Sequence, residues 1–119
     1  MQLQSLIERQ KKSWIAALEN QKAVYLITDK SNGKLYVGSA TSDNGMLLTR
    51  WSNYAENGHG GNVELKKLVA EKGLDYIKQN FQYSILENYN ARVDDRVILD
   101  RESWWKETLQ SRVFGYNDN

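Results

Sequence analysis

Glu102 is the residue least at home in its surroundings. On the last helical stretch, Ile98, Glu102, Trp105 and Leu109 recur at i, i+4, i+7 and i+11, so a carboxylate occupies an apolar row. Carboxylates are seldom taken out of water without a partner. An arginine, a metal ion or a water path at the edge of the core would serve. The plainer alternative is a stripe shifted by one position, with Glu102 at its margin. Arg50 comes second. It shares a helical face with Leu47 and Tyr54, and its fork of donors suits a phosphate. The competing reading is a surface arginine laid over Trp51. Tyr25 and Tyr36 come third, as phenols that pack a sheet face unless their hydroxyls reach a site, where a nearby cation would favour phenolate. His59, in Gly58-His59-Gly60-Gly61-Asn62, could touch a phosphate or move a proton, or be loop alone. Asn117 follows a helix end and by itself signals nothing.

Composition narrows the chemistry. The chain has no cysteine and one histidine, which excludes disulfides, thiolate catalysis and multi-histidine metal sites. A divalent metal would have to be held mainly by carboxylate oxygen, which points to a hard ion such as Mg²⁺. The 119 residues fit one domain, and 40% hydrophobic with 26% charged is ordinary globular composition. A net charge of +1 offers no general attraction to nucleic acid, so any positive field must be local or come from another domain. No run of 18 apolar residues spans a membrane, and MQLQSLIERQKK lacks a signal core. The expected setting is therefore intracellular and cytoplasmic, away from membranes.

These side chains need elements to position them. Residues 2–21 read as a polar helix with Leu3, Ile7, Trp14 and Leu18 on one stripe, either docked on the domain or a connector within a longer chain. Residues 23–28 and 34–40 read as strands joined through Asn32-Gly33, a hairpin signal. A four-residue loop, Lys30–Gly33, sets Tyr25 opposite Gly38 and diagonal to Tyr36, on one face, over an open floor at the glycine. Residues 45–57 read as a helix. A second runs over 63–72, with Asn62 as N-cap and Gly73 as its stop. Residues 81–86 make a third strand, and 94–112 a last helix. The expected class is α+β: a small three-stranded antiparallel or mixed sheet covered by helices.

The order of these features resembles the GIY-YIG nuclease superfamily. Ala23-Val24-Tyr25 and Tyr36-Val37-Gly38 resemble its two triplets, with ten residues between the tyrosines. Arg50 lies in a helix like the family's. Ile98-x-x-Arg101-Glu102-x-x-Trp105, followed by Gly115-Tyr116-Asn117, resembles the catalytic domain of phage homing endonucleases. The likeness covers residues 23–117, leaving 1–22 as the helix or interdomain connector and 23–119 as the domain. The chain departs from the pattern at Ala23, at the valines of the triplets, and at Ser39, where excision-repair members carry lysine. The loop around His59 is similar to that of bacterial members in which this module follows another domain.

The resemblance implies a three-stranded antiparallel sheet flanked by helices and hydrolysis of DNA phosphodiesters with one Mg²⁺ or Mn²⁺ ion. Glu102 would be the metal ligand. Arg50 would bind the scissile phosphate, and Tyr25 and Tyr36 would line the site, one of them handling the attacking water. Tyr54 falls where members carry His or Tyr and joins the catalytic set. His59 and Asn117 would serve substrate binding, Asn117 by supporting the site. The partner would be DNA, with RNA also open, and a further DNA-binding domain upstream. The alternative is a non-catalytic nucleic-acid or protein-binding module on the same fold.

Overall fold

The computed structural model describes residues 19–118. The expected helix over 2–21 falls almost wholly outside them, and its last residue is already strand. The elements are β1 (Gln21–Asp29), β2 (Leu35–Ala40), α1 (Met46–Asn57), α2 (Val63–Lys72), α3 (Leu74–Asn80), β3 (Phe81–Asn90), α4 (Asp95–Leu109) and α5 (Ser111–Phe114). The sheet order is β2-β1-β3, antiparallel throughout, so β1 is central and β2 is an edge. The mixed-sheet option is thereby set aside. Among the described residues no helix is long and apolar enough to cross a membrane.

The hairpin has the expected register: Tyr25 pairs with Gly38, and Ile27 with Tyr36. Period-2 alternation then divides the core. Tyr25, Ile27, Tyr36 and Ala40 join Leu47, Trp51 and Tyr54 of α1, Leu65 of α2 and Ile77 of α3 on one face. Val24 and Val37 meet Ile98 of α4 on the other, with Trp105 and Leu109 packed alongside. The phenols and α4 therefore start from opposite faces, on either side of β2, an outer strand of the sheet.

The structure departs from the sequence reading in three places. Residues 74–80 form α3, to which the sequence reading assigned no element. β3 runs on to Asn90, four residues beyond the expected end, with a register shift opposite Val24 and Tyr25 that leaves Leu86 as the extra residue. The last helix breaks at Gln110, which takes a left-handed conformation (φ 52°) and turns the chain into α5. By contrast, α2 begins and ends where expected, with the Asn62 side chain accepting from Leu65 N–H at 3.0 Å.

Candidate active site

The strands deliver the first phenol. Tyr25 is 1% exposed, and its ring lies flat over Gly38. A Cβ at Gly38 would stand 2.5 Å from both Cζ and Oη of Tyr25, so only glycine fits there. The floor expected to be open is filled by the tyrosine itself. α1 delivers the next two groups, because Leu47, Arg50 and Tyr54 share its inward face. Tyr54 is 1% exposed, and its hydroxyl lies 2.8 Å from that of Tyr25. Arg50 Nη2 donates to Tyr54 Oη at 3.2 Å, and the guanidinium carbon lies 5.3 Å from the Tyr54 ring centroid. Tyr36 meets Tyr54 edge-on, with ring centroids 6.4 Å apart. Gly60 closes this cluster from the α1–α2 turn, where a Cβ would stand 2.7 Å from the Tyr54 ring and 3.2 Å from Arg50 Nη2.

Electrostatics follow from this packing. Burial pushes the pKa of Tyr25, Tyr36 and Tyr54 up; Tyr36 raises Tyr25, and both raise Tyr54, while hydrogen bonds with Tyr54 lower Tyr25 and Tyr36 and Arg50 opposes the rise in all three. All three are neutral hydroxyls in the resting domain. Burial works against the charge of Arg50, but the oxygens of Tyr25 and Tyr54 outweigh it and hold it cationic. Arg50 Nε is buried without a hydrogen-bond partner. A buried donor left open on a guanidinium edge is costly for a structural residue and apt for one that receives an anion.

Glu102 arrives from the other face of the sheet. Three anchors set α4. Lys22 Nζ bonds Val93 O at 2.6 Å and Asp95 Oδ1 at 2.8 Å at its start. Glu87 of β3 takes Arg101 Nε at 3.0 Å, Arg101 Nη2 at 2.6 Å and Trp105 Nε1 at 2.7 Å in its middle. Ser111 O accepts Asn117 N–H at 3.2 Å beyond its end. So held, the Glu102 side chain is only 16% exposed. Burial raises its pKa. Lys106, a hydrogen bond from Ser39, Arg112 and Arg50 pull the other way. Arg50 lowers the pKa of Glu102 and Glu102 raises that of Tyr36, so the carboxylate lies within electrostatic range of the Arg50–Tyr36 side of the cluster. At this exposure the carboxylate is mostly out of water, with Ser39 and Lys106 as its partners.

Asn117 and His59 sit differently. The Asn117 carboxamide accepts from Val37 N–H at 2.8 Å and donates to Val37 O at 2.9 Å, sealing the edge of β2. Both ends are used and the residue is 3% exposed, so it supports the strand. The Nδ1 of His59 accepts Gly61 N–H at 2.9 Å, and burial with nearby Lys66 lowers its pKa, leaving it neutral beside the cluster. Sequence reasoning passed over Ser39 as a Glu102 partner, and passed over Lys106 although i+4 from Glu102 names it. The Glu87 anchor was not legible, since it joins residues 14 apart on different elements.

Among the described residues no three His, Cys, Asp or Glu side chains gather as a metal cage. One hydrogen-bonded carboxylate fits an ion that keeps most of its waters, as Mg²⁺ does.

Comparison with known proteins places this geometry. The family model for the GIY-YIG catalytic domain matches residues 21–117. Intron-associated endonuclease 1 of Enterobacteria phage T4 is 30% identical over 100 residues, covering 82% of this chain and 36% of that protein, so the chain spans about a third of its relative. The solved catalytic domain of intron endonuclease I-TevI, in a glutamate-to-alanine mutant, superposes with TM-score 0.59 at 25% identity over 83% of this chain and 94% of that one. A second structure of the homing endonuclease I-TevI catalytic domain gives 0.58 at 28% identity, over 81% and 96%. With the matched segment running from the first residue of β1 to Asn117, the chain belongs to the GIY-YIG nuclease superfamily.

Proposed function

We propose that this domain hydrolyses DNA phosphodiester bonds with one divalent metal ion held by Glu102. The observation that carries the reading is a cluster of three neutral phenols around an arginine with an unpartnered Nε, with the partly buried Glu102 carboxylate in electrostatic range of Arg50 and Tyr36. Membership of a nuclease superfamily and an endonuclease relative support it. Arg50 receives the scissile phosphate through its guanidinium and stabilises the charge that develops on it. Tyr25 and Tyr54, fully buried and bonded to each other, hold the guanidinium in place. Tyr36 is 8% exposed against 1% for each of the other two, so it is the phenol that meets water and orients it for attack. His59 presents a neutral imidazole to the substrate backbone beside Gly60. The chemistry a bound Mg²⁺ or Mn²⁺ supplies is neutralisation of a phosphoryl oxygen and of the leaving 3′-oxygen.

Incubation of the purified chain with supercoiled plasmid and Mg²⁺ or Mn²⁺ tests this. Nicking is expected from the wild type. Arg50→Ala should lose about 10²–10³-fold in rate, and Glu102→Ala should lose activity to a similar or greater extent. Cleavage by Glu102→Ala at the wild-type rate removes the metal assignment. An RNA substrate in parallel decides between the two nucleic acids. Metal-independent binding without nicking would leave a binding module on this fold. A further DNA-binding domain, in a longer chain joined through residues 1–22, would supply the affinity that a net charge of +1 does not.

A further inference from the structure

Glu102 is not the only charge that α4 takes into the protein. Lys106, one turn on, is 5% exposed, and its Nζ stands 3.9 Å from Glu102 Oε1. Both residues continue the row begun by Ile98, the face of α4 that packs on the sheet. A methionine would fill the same space without the desolvation cost of an ammonium. The separation is an ion-pair distance and not a hydrogen bond, so the ammonium attracts the carboxylate without consuming its lone pairs. Ser39 supplies the hydrogen bond instead. Arg112 and Asp118 act on Lys106 from the C-terminal side, and Arg50 acts on Glu102 from α1.

The geometry points to Lys106 as a built-in counter-ion for Glu102, a positioning residue that keeps the carboxylate inward in the metal-free domain and sets how tightly a divalent cation binds there. The inference rests on the reading of Glu102 as metal ligand. A buried carboxylate meant for a metal is an uncompensated charge whenever the metal is away. Lys106 offsets that charge. The same ammonium then repels an incoming cation, so the site binds metal weakly and releases it readily.

Calorimetric titration of Mn²⁺ into the whole chain at mildly alkaline pH tests this without any turnover. The set is wild type, Lys106→Met, Lys106→Gln, Lys106→Arg and Glu102→Gln. The neutral Lys106 variants should bind Mn²⁺ about tenfold or more tighter, the scale set by one unit charge a few ångströms away in a partly buried site. Lys106→Arg should match the wild type. In chelator the neutral variants should melt below the wild type, and saturating Mn²⁺ should close that gap. Unchanged Mn²⁺ affinity in folded Lys106→Met and Lys106→Gln overturns the inference alone. A wild type that binds Mn²⁺ no better than Glu102→Gln overturns the metal-ligand reading and this inference with it. Should both neutral variants fail to fold, the double variant Glu102→Gln, Lys106→Met should fold, since it removes both charges; its failure also overturns the pairing.

Discussion

At the scale of single residues, the site depends on what is missing from a side chain as much as on what is present. Gly38 has no Cβ, and Tyr25 occupies that space with its ring and hydroxyl. Gly38→Ala should therefore push Tyr25 off Tyr54 and loosen Arg50 behind it. We expect a loss of about 1–3 kcal/mol in stability by urea unfolding, as for other overpacked sites. Nicking should fall by about tenfold or more, since small misplacements of positioning groups are felt strongly in rate. Wild-type nicking by Gly38→Ala would show that Tyr25 does not position the site. Glu102 was legible as an anomaly of periodicity, because a charge on an apolar row demands a reason. The direction of the Tyr25 ring was not, because register places a Cβ on a face and says nothing about where its side chain leans.

At the scale of elements, the site is only as good as the docking of α4. Glu87 of β3 holds Arg101, the neighbour of Glu102, through two donors on one side of the guanidinium, and also accepts from Trp105 and Tyr89. The Arg101 hydrogen bonds, against some desolvation, bring the Glu87 pKa well down, from 4.5 to about 2. A folded pKa below the unfolded one adds stability that is complete above about 4.5 and is lost as pH falls toward about 2. Arg101→Met should be less stable than the wild type at neutral pH, with the difference shrinking through that acid window in thermal melts. A constant difference down to the acid end would show that the Glu87 contact carries no linked proton. The elements themselves were legible where their ends carry punctuation. Asn62 and Gly73 bracket α2, and an even loop sets the β1–β2 register. α3 starts directly from Gly73 with no side-chain cap, and the polar run Glu87-Asn88-Tyr89-Asn90 extends β3 by pairing with β1 and not by any apolar alternation. Gln110 ends α4 in a conformation that glycine usually signals.

At the scale of the whole molecule, a net charge of +1 puts the positive groups to local use. Arg50, partly buried among tyrosines, and Lys106, buried beside Glu102, add little to capture of a long polyanion. We expect the domain alone to bind duplex DNA with Kd in the range of about 10⁻⁴–10⁻⁶ M, non-specifically and falling with salt. Fluorescence anisotropy with duplexes of unrelated sequence, at two salt concentrations, checks it. Tight binding insensitive to salt would show a recognition surface that the charge balance does not reveal. The fold class was legible at this scale from the hairpin, the third strand and the helical runs. The placing of β2 as an outer strand was not, because nothing in the hairpin says on which side of β1 the third strand pairs.

The carboxamide of Asn117 clasps the backbone of Val37, in the strand that carries Tyr36 and Gly38. The tail of this segment is thus a latch on β2. Trimming back through Asn117, whether by a protease or by a premature stop codon, would slacken that edge while sparing Tyr25, Tyr36, Arg50, Tyr54 and Glu102. Any tag fused downstream has to begin beyond that asparagine.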